Sequence, residues 1–203
     1  MSVGVGQVSL FGHERPACDE SFRSLRRIEL GRGAWIEWVP GWLSGHAEIF
    51  DLLATTTRWH ADEREMYERI VDVPRLCAVL PADGAGHPEI ERMRRALSAR
   101  YGTDFNRISL AYYRNGRDSV AWHGDQVARR LPEAVVATVS LGSPRRFLLR
   151  PFGGGPSQRL SLGWGDLLVM GGTCQRAYQH SVPKVASAEP RIAVMFRPTW
   201  PSD

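Results

Sequence analysis

The segment Arg191-Ile-Ala-Val-Met-Phe-Arg197 alternates strictly, with Ile192, Val194 and Phe196 on one side and Arg191, Ala193, Met195 and Arg197 on the other. Successive side chains of a β-strand point to opposite faces, so this reads as a strand with one apolar face and one face bounded by cations. A guanidinium on a buried strand is costly unless it meets an anion. Two of them on one face suit a dicarboxylate, with one carboxylate for each.

The same texture continues toward the N-terminus. Short β segments separated by Gly and Pro cover 107–113, 119–125, 134–141, 146–150, 159–162, 166–170, 177–182 and 191–197. Eight short strands with turn signals between them predict a sandwich or jelly roll. Among them, Ser119-Val-Ala-Trp-His-Gly-Asp125 sets His123 and Asp125 two residues apart, and hence on one face of a strand. One histidine follows, His180 in Tyr178-Gln-His-Ser-Val182. Two histidines and a carboxylate, with coordination positions left open, form the ligand set of non-heme Fe(II). Each spacing alone is ordinary; the set is what points to a metal.

Ahead of this β region, Arg27–Leu30 and Ala34–Val39 flank Gly31-Arg-Gly33 as a hairpin. Ser44 is the expected N-cap of a helix over His46–Ala54, whose Ile49, Phe50, Leu53 and Ala54 form one stripe. Val71–Val79 reads as an edge segment interrupted by Pro74, and Pro81–Gly86 as a loop. Pro88 opens a second helix that runs to about Arg100 and is closed by Gly102. The predicted class is therefore α+β, a jelly-roll core with N-terminal helices packed on one sheet. It forms a single domain divided into an extension (1–24), a hairpin-and-helix region (25–104) and the β core (105–200).

At 203 residues and 43% apolar composition the chain suits one globular domain. No apolar run reaches the length of a membrane span, and Met1-Ser-Val-Gly-Val-Gly6 lacks the features of a signal peptide. Cys18, Cys77 and Cys174 are odd in number and widely spaced, which argues against a disulfide framework or zinc knuckle and for a reducing cytoplasm. A net charge of +4, carried by 25 arginines and the single Lys184, permits nucleic-acid binding without locating a groove. A monomer is the default oligomeric state.

From Phe105 to Arg197 the chain resembles the AlkB family of Fe(II)- and 2-oxoglutarate-dependent dioxygenases. The resemblance rests on Phe105-Asn106, Tyr113-Arg-Asn115, Asp118-Ser-Val120, Trp122-His-Gly-Asp125, Ser140-Leu-Gly142 with Arg146-Phe147, Gly165-Asp-Leu-Leu168, Gln179-His-Ser-Val-Pro-Lys184, Pro190-Arg191 and Phe196-Arg197. It implies a double-stranded β-helix, with His123, Asp125 and His180 as iron ligands. It also implies Arg191 at the distal carboxylate of 2-oxoglutarate, Arg197 near the keto-acid end, and Tyr113 as a further contact. The implied reaction consumes 2-oxoglutarate and O2, oxidises a methyl group on a DNA or RNA base, and releases formaldehyde, succinate and CO2.

Alkylated nucleic acid is then the expected partner, met by a lid within 25–104. Trp59, Tyr67 and Trp122 are candidate stacking residues, and Arg75 is a candidate phosphate contact. The chain departs from the family pattern at Ala111 and Ala193, where repair members usually carry Asn, and at Met195, where Thr is frequent. Gln126-Val-Ala128 supplies no carboxylate after the ligand pair, and Ala78–Gly84 lacks the tyrosines expected of the lid. Two other readings stand beside the first: the same chemistry on a protein or small molecule, and a non-catalytic nucleic-acid-binding module. The last predicts damaged ligands or arginines, and these are intact.

Overall fold

The computed structural model describes residues 15–66, 69–81, 87–125, 128 and 131–199, with side chains left out for 62–66 and 69–73. In chain order the elements are Ala17–Cys18 (β1), Arg26–Gly31 (β2), Ala34–Val39 (β3), Leu43–Ser44 (β4), His46–Thr56 (α1), His60–Met66 (β5), Arg69–Leu80 (β6), Pro88–Tyr101 (α2), Arg107–Tyr113 (β7), Val120–His123 (β8), Val136–Gly142 (β9), Arg145–Pro151 (β10), Gln158–Leu162 (β11), Asp166–Gly172 (β12), Cys174–Ala177 (α3), Tyr178–Val182 (β13) and Arg191–Arg197 (β14).

Strand β14 lies inside the larger sheet, ordered β2-β3-β12-β9-β14-β7-β6-β5, and a smaller sheet is ordered β11-β10-β13-β8. The eight strands β7 to β14 thus divide four and four between two facing sheets, the jelly roll expected from the pattern. The alternation of β14 sorts its residues between two cores. Ile192, Val194 and Phe196 face α1 and α2 and pack with Ile49, Met93 and Leu97. Ala193 and Met195 face the smaller sheet and pack in a second core with Ile36, Phe147, Leu149 and Leu168. Both helices therefore cover the same face of the larger sheet, and the space between the sheets is left for the site.

Local chemistry explains the element ends. Arg32 and Gly33 join β2 to β3 with φ of 56° and 76°, the two positive values of a hairpin turn that matches strand twist. The α2 N-cap is His87, whose Nδ1 accepts from the Glu89 amide at 3.3 Å; Pro88 stands in the first turn and Gly102 closes the helix at φ 60°. Gly171 has a packing reason, because a Cβ there would fall 2.0 Å from the Trp35 ring.

Three sequence expectations change, and two elements, β5 and α3, are additional to them. Ser44 does not cap α1: it is engaged in the β1–β4 pair, where its Oγ donates to the Ala17 carbonyl at 3.3 Å, and Gly45 caps the helix in the left-handed region. Residues 71–79 are not at the edge, because β5 pairs outside β6. Strand β5, His60-Ala-Asp-Glu-Arg-Glu-Met66, has almost no apolar alternation from which to read a strand. Pro74 is tolerated where the β5–β6 register shifts between Ala61 and Glu63, and its carbonyl accepts the Ser119 amide at 2.7 Å. Strand β8 ends at His123, leaving Asp125 outside the ladder, and the four-residue α3 was not anticipated.

No helix among the described residues is long and apolar enough to cross a membrane. Phe196 is fully buried and Val79 is 61% exposed. Phe196→Ala is expected to cost about 3–5 kcal/mol in urea unfolding, and Val79→Ala within about 0.5 kcal/mol.

Candidate active site

Strands β8 and β13 pair so that His123 and His180 stand directly opposite each other, and their ring centroids lie 4.3 Å apart. Phe147 of β10 stacks on His180 at 5.3 Å between centroids, placing both imidazoles on the inner face. The His123 Nδ1 lies 2.8 Å from the Ala121 carbonyl oxygen. A carbonyl only accepts, so Nδ1 carries the proton and Nε2 carries the lone pair that a metal takes. Burial holds the His180 pKa well below its ordinary value, reinforced by His123, Arg197 and Arg75, so this imidazole stays neutral.

The Asp125 amide donates to Gln175 Oε1 at 3.2 Å. Its Oδ2 lies 2.7 Å from Arg197 Nε, an ion pair poorly aligned as a hydrogen bond. Among the described residues no three His, Cys, Asp or Glu side chains are gathered at metal-binding geometry; the carboxylate is turned to Arg197 instead. The donor set still fits Fe(II), with two imidazoles side by side and a carboxylate two residues from one of them.

Arg191, 2% exposed, pairs in register with Tyr113 of β7 and Gly142 of β9. Its Nη2 donates to Ser140 Oγ at 2.7 Å, its guanidinium lies 5.3 Å from the Tyr113 ring centroid, and its Nε has no hydrogen-bond partner. Burial pulls its pKa down, yet an arginine stays protonated. A buried cation with an idle N–H fits one carboxylate of 2-oxoglutarate. Arg197 donates from Nη1 to Ser109 Oγ at 2.7 Å. Ala111 and Ala193 face each other between these two arginines. Arg145 is also buried against Tyr113, but it donates to the carbonyls of Asn115, Asp118 and Pro183 at 3.0, 2.8 and 2.9 Å and so ties loops together.

A family model described as the 2OG-Fe(II) oxygenase superfamily matches residues 51–197. The chain belongs to the 2OG-Fe(II) oxygenase superfamily. Fe(II), 2-oxoglutarate and O2 are the cofactor and co-substrates that go with this membership. Within the superfamily the chain is AlkB-like. It is 31% identical to alpha-ketoglutarate-dependent dioxygenase alkB homolog 3 of Bos taurus, over 71% of this chain and 51% of the relative. It is 29% identical to the DNA oxidative demethylase ALKBH2 of Arabidopsis thaliana, over 86% of this chain and 69% of the relative. The chain therefore spans about half the length of the alkB homolog 3 relatives it matches. The fold is shared with the structure of OsALKBH1, at 14% identity and TM-score 0.58 over 86% of this chain and 100% of that one. It is shared too with a prolyl hydroxylase from Trichoplax adhaerens in complex with a hypoxia inducible factor peptide fragment, at 13% identity and TM-score 0.56 over 86% and 82%.

The substrate-side expectations for this superfamily member fare less well. Trp59 lies on the helix-covered face: its ring is 5.1 Å from Tyr112, and its Nε1 donates to the Ala54 carbonyl at 3.4 Å. It is partly buried against the core on that face rather than facing the imidazoles. Trp122 alternates with His123 and so points to the outer face of the smaller sheet, where Arg150 covers it at 3.9 Å. It does not face the imidazoles. Tyr67 lies outside the described residues. Arg75 turns inward, with Nη1 3.4 Å from Tyr113 Oη, and joins the pocket cations rather than the surface. Ser109 and Gln175 were not singled out from sequence; a lone polar residue on a strand or short helix carries no periodic signal.

If Arg191 receives a carboxylate, 2-oxoglutarate will raise the melting temperature of the chain in a concentration-dependent way. At about 100 times the dissociation constant the stabilisation should be about 2.7 kcal/mol. Thermal-shift titration of Arg191→Met is expected to be flat.

Proposed function

We propose that the protein is an Fe(II)- and 2-oxoglutarate-dependent dioxygenase that demethylates alkylated DNA or RNA bases, with release of formaldehyde, succinate and CO2. The observation that carries this reading is the buried Arg191 with its idle Nε, set between the same two sheets as the His123–His180 pair. In this reading His123, Asp125 and His180 hold Fe(II), which supplies oxygen activation coupled to decarboxylation of 2-oxoglutarate. Arg191 anchors the distal carboxylate, Tyr113 adds a hydroxyl beside it, and Arg197 serves the keto-acid end while balancing Asp125. Phe147, Leu149 and Met170 form an apolar surround that keeps water from the reacting carbon. A methyl on nitrogen, once hydroxylated, loses formaldehyde and leaves the bare amine.

The AlkB relatives support nucleic acid as the substrate. We place the chemistry in one domain, because β2, β3, β5 and β6 extend the same sheet as the β core. Cys18, Cys77 and Cys174 form no disulfide, which suits a reducing cytoplasm. A second reading, the same chemistry on a protein or small molecule, is favoured by one observation. With Trp59 packed against the helix-covered core and Trp122 on the outer face, neither is placed to stack on an extruded base.

The test is product analysis with Fe(II), 2-oxoglutarate and methylated single-stranded DNA, duplex DNA or RNA. Succinate and formaldehyde are expected together, and His123→Ala should abolish both. Succinate without formaldehyde selects the second reading. No succinate with any substrate, together with no metal binding, overturns the enzyme.

A further inference from the structure

We infer that Gln175 is a positioning residue that sets metal affinity by holding the backbone of Asp125. This rests on the reading of His123, Asp125 and His180 as ligands. A His-x-Asp pair inside a strand would owe its geometry to the ladder, but β8 stops at His123, so no strand partner fixes Asp125. Its amide is met instead by Gln175 Oε1 at 3.2 Å. Gln175 is 2% exposed, and its Nε2 lies 3.7 Å from Met170 Sδ on β12, so the side chain is held at both ends.

Its place in the chain matters as much as its contacts. Gln175 belongs to α3, which runs directly into β13, the strand that carries His180. One side chain therefore ties the segment bearing one ligand to the segment bearing another, and the distance between them is fixed across the gap left by the short strand. From its other end Asp125 is held through its carboxylate by Arg197, itself tethered to Ser109. Loss of the Gln175 acceptor would leave a part-buried N–H without this partner and let the Asp125 backbone move. Groups behind metal ligands characteristically change affinity by about 10–100-fold when removed.

The experiment is Mn(II) binding to the full chain, read from the electron paramagnetic resonance of free Mn(II), with no 2-oxoglutarate present. Gln175→Met keeps the length but removes the acceptor, and should weaken binding about 10-fold or more. Gln175→Glu keeps an acceptor in place, though as a buried carboxyl, and should bind Mn(II) more tightly than Gln175→Met. Gln175→Ala, which opens the site rather than overfilling it, carries the same expectation as Gln175→Met should that variant fail to fold. His123→Ala is the control for the underlying reading. If it binds Mn(II) like wild type, the ligand assignment falls and takes this inference with it. If His123→Ala loses binding while Gln175→Met and Gln175→Ala match wild type, the assignment stands and the Gln175 role is overturned. Equal weakening by Gln175→Met and Gln175→Glu also overturns it, since packing rather than the acceptor would then be responsible.

Discussion

The charge of Arg191 buried between two sheets is the constraint around which the structure is arranged. A guanidinium in an apolar interior needs a partner for every N–H, and the protein supplies Ser140 from β9 and the Tyr113 ring from β7 while leaving Nε unmet. Those two strands flank β14 in the larger sheet, so the register that buries Ile192, Val194 and Phe196 under the helices also brings the hydroxyl and the phenol to the cation. Core packing and the placing of the cation thus depend on one alignment of three strands. A slip of one residue would turn the arginine into the helix-covered core and the apolar residues toward the site.

The smaller sheet obeys a second constraint, the pairing of β8 with β13. It sets two imidazoles beside each other, tilted by 54°, with His180 kept neutral by its surroundings. The positive charge comes from Arg75, Arg191 and Arg197 on the larger sheet. Imidazoles on one wall and cations on the other make an arrangement suited to an anionic co-substrate spanning the gap.

Much of this was legible in the sequence because it is periodic. The strict alternation of β14 announced both its faces, and the wait from Asp125 to the single later histidine named His180. What escaped notice lacked a period. Strand β5 is polar on both sides and is a strand only because β6 offers it an edge. Asp125 was assigned to a strand that stops two residues earlier, so its orientation comes from Gln175 and Arg197, contacts between residues 50 and 72 positions apart in the chain. Trp59 shows the opposite error. The need of a flipped base for a stacking partner made it a candidate, but the ring is packed with Tyr112 against the helix-covered core.

The two faces of β14 also bear on how such a protein changes over generations. Residues that hold the molecule together and residues that shape the co-substrate wall alternate along one strand but contact different neighbours. Ala111 and Ala193 can be exchanged for larger or more polar side chains without touching the helix-covered core. Both lie in the second buried cluster, so a larger side chain there is felt between the two sheets while the helix-covered core keeps its packing, and selection on the wall and selection on that core act through separate neighbours.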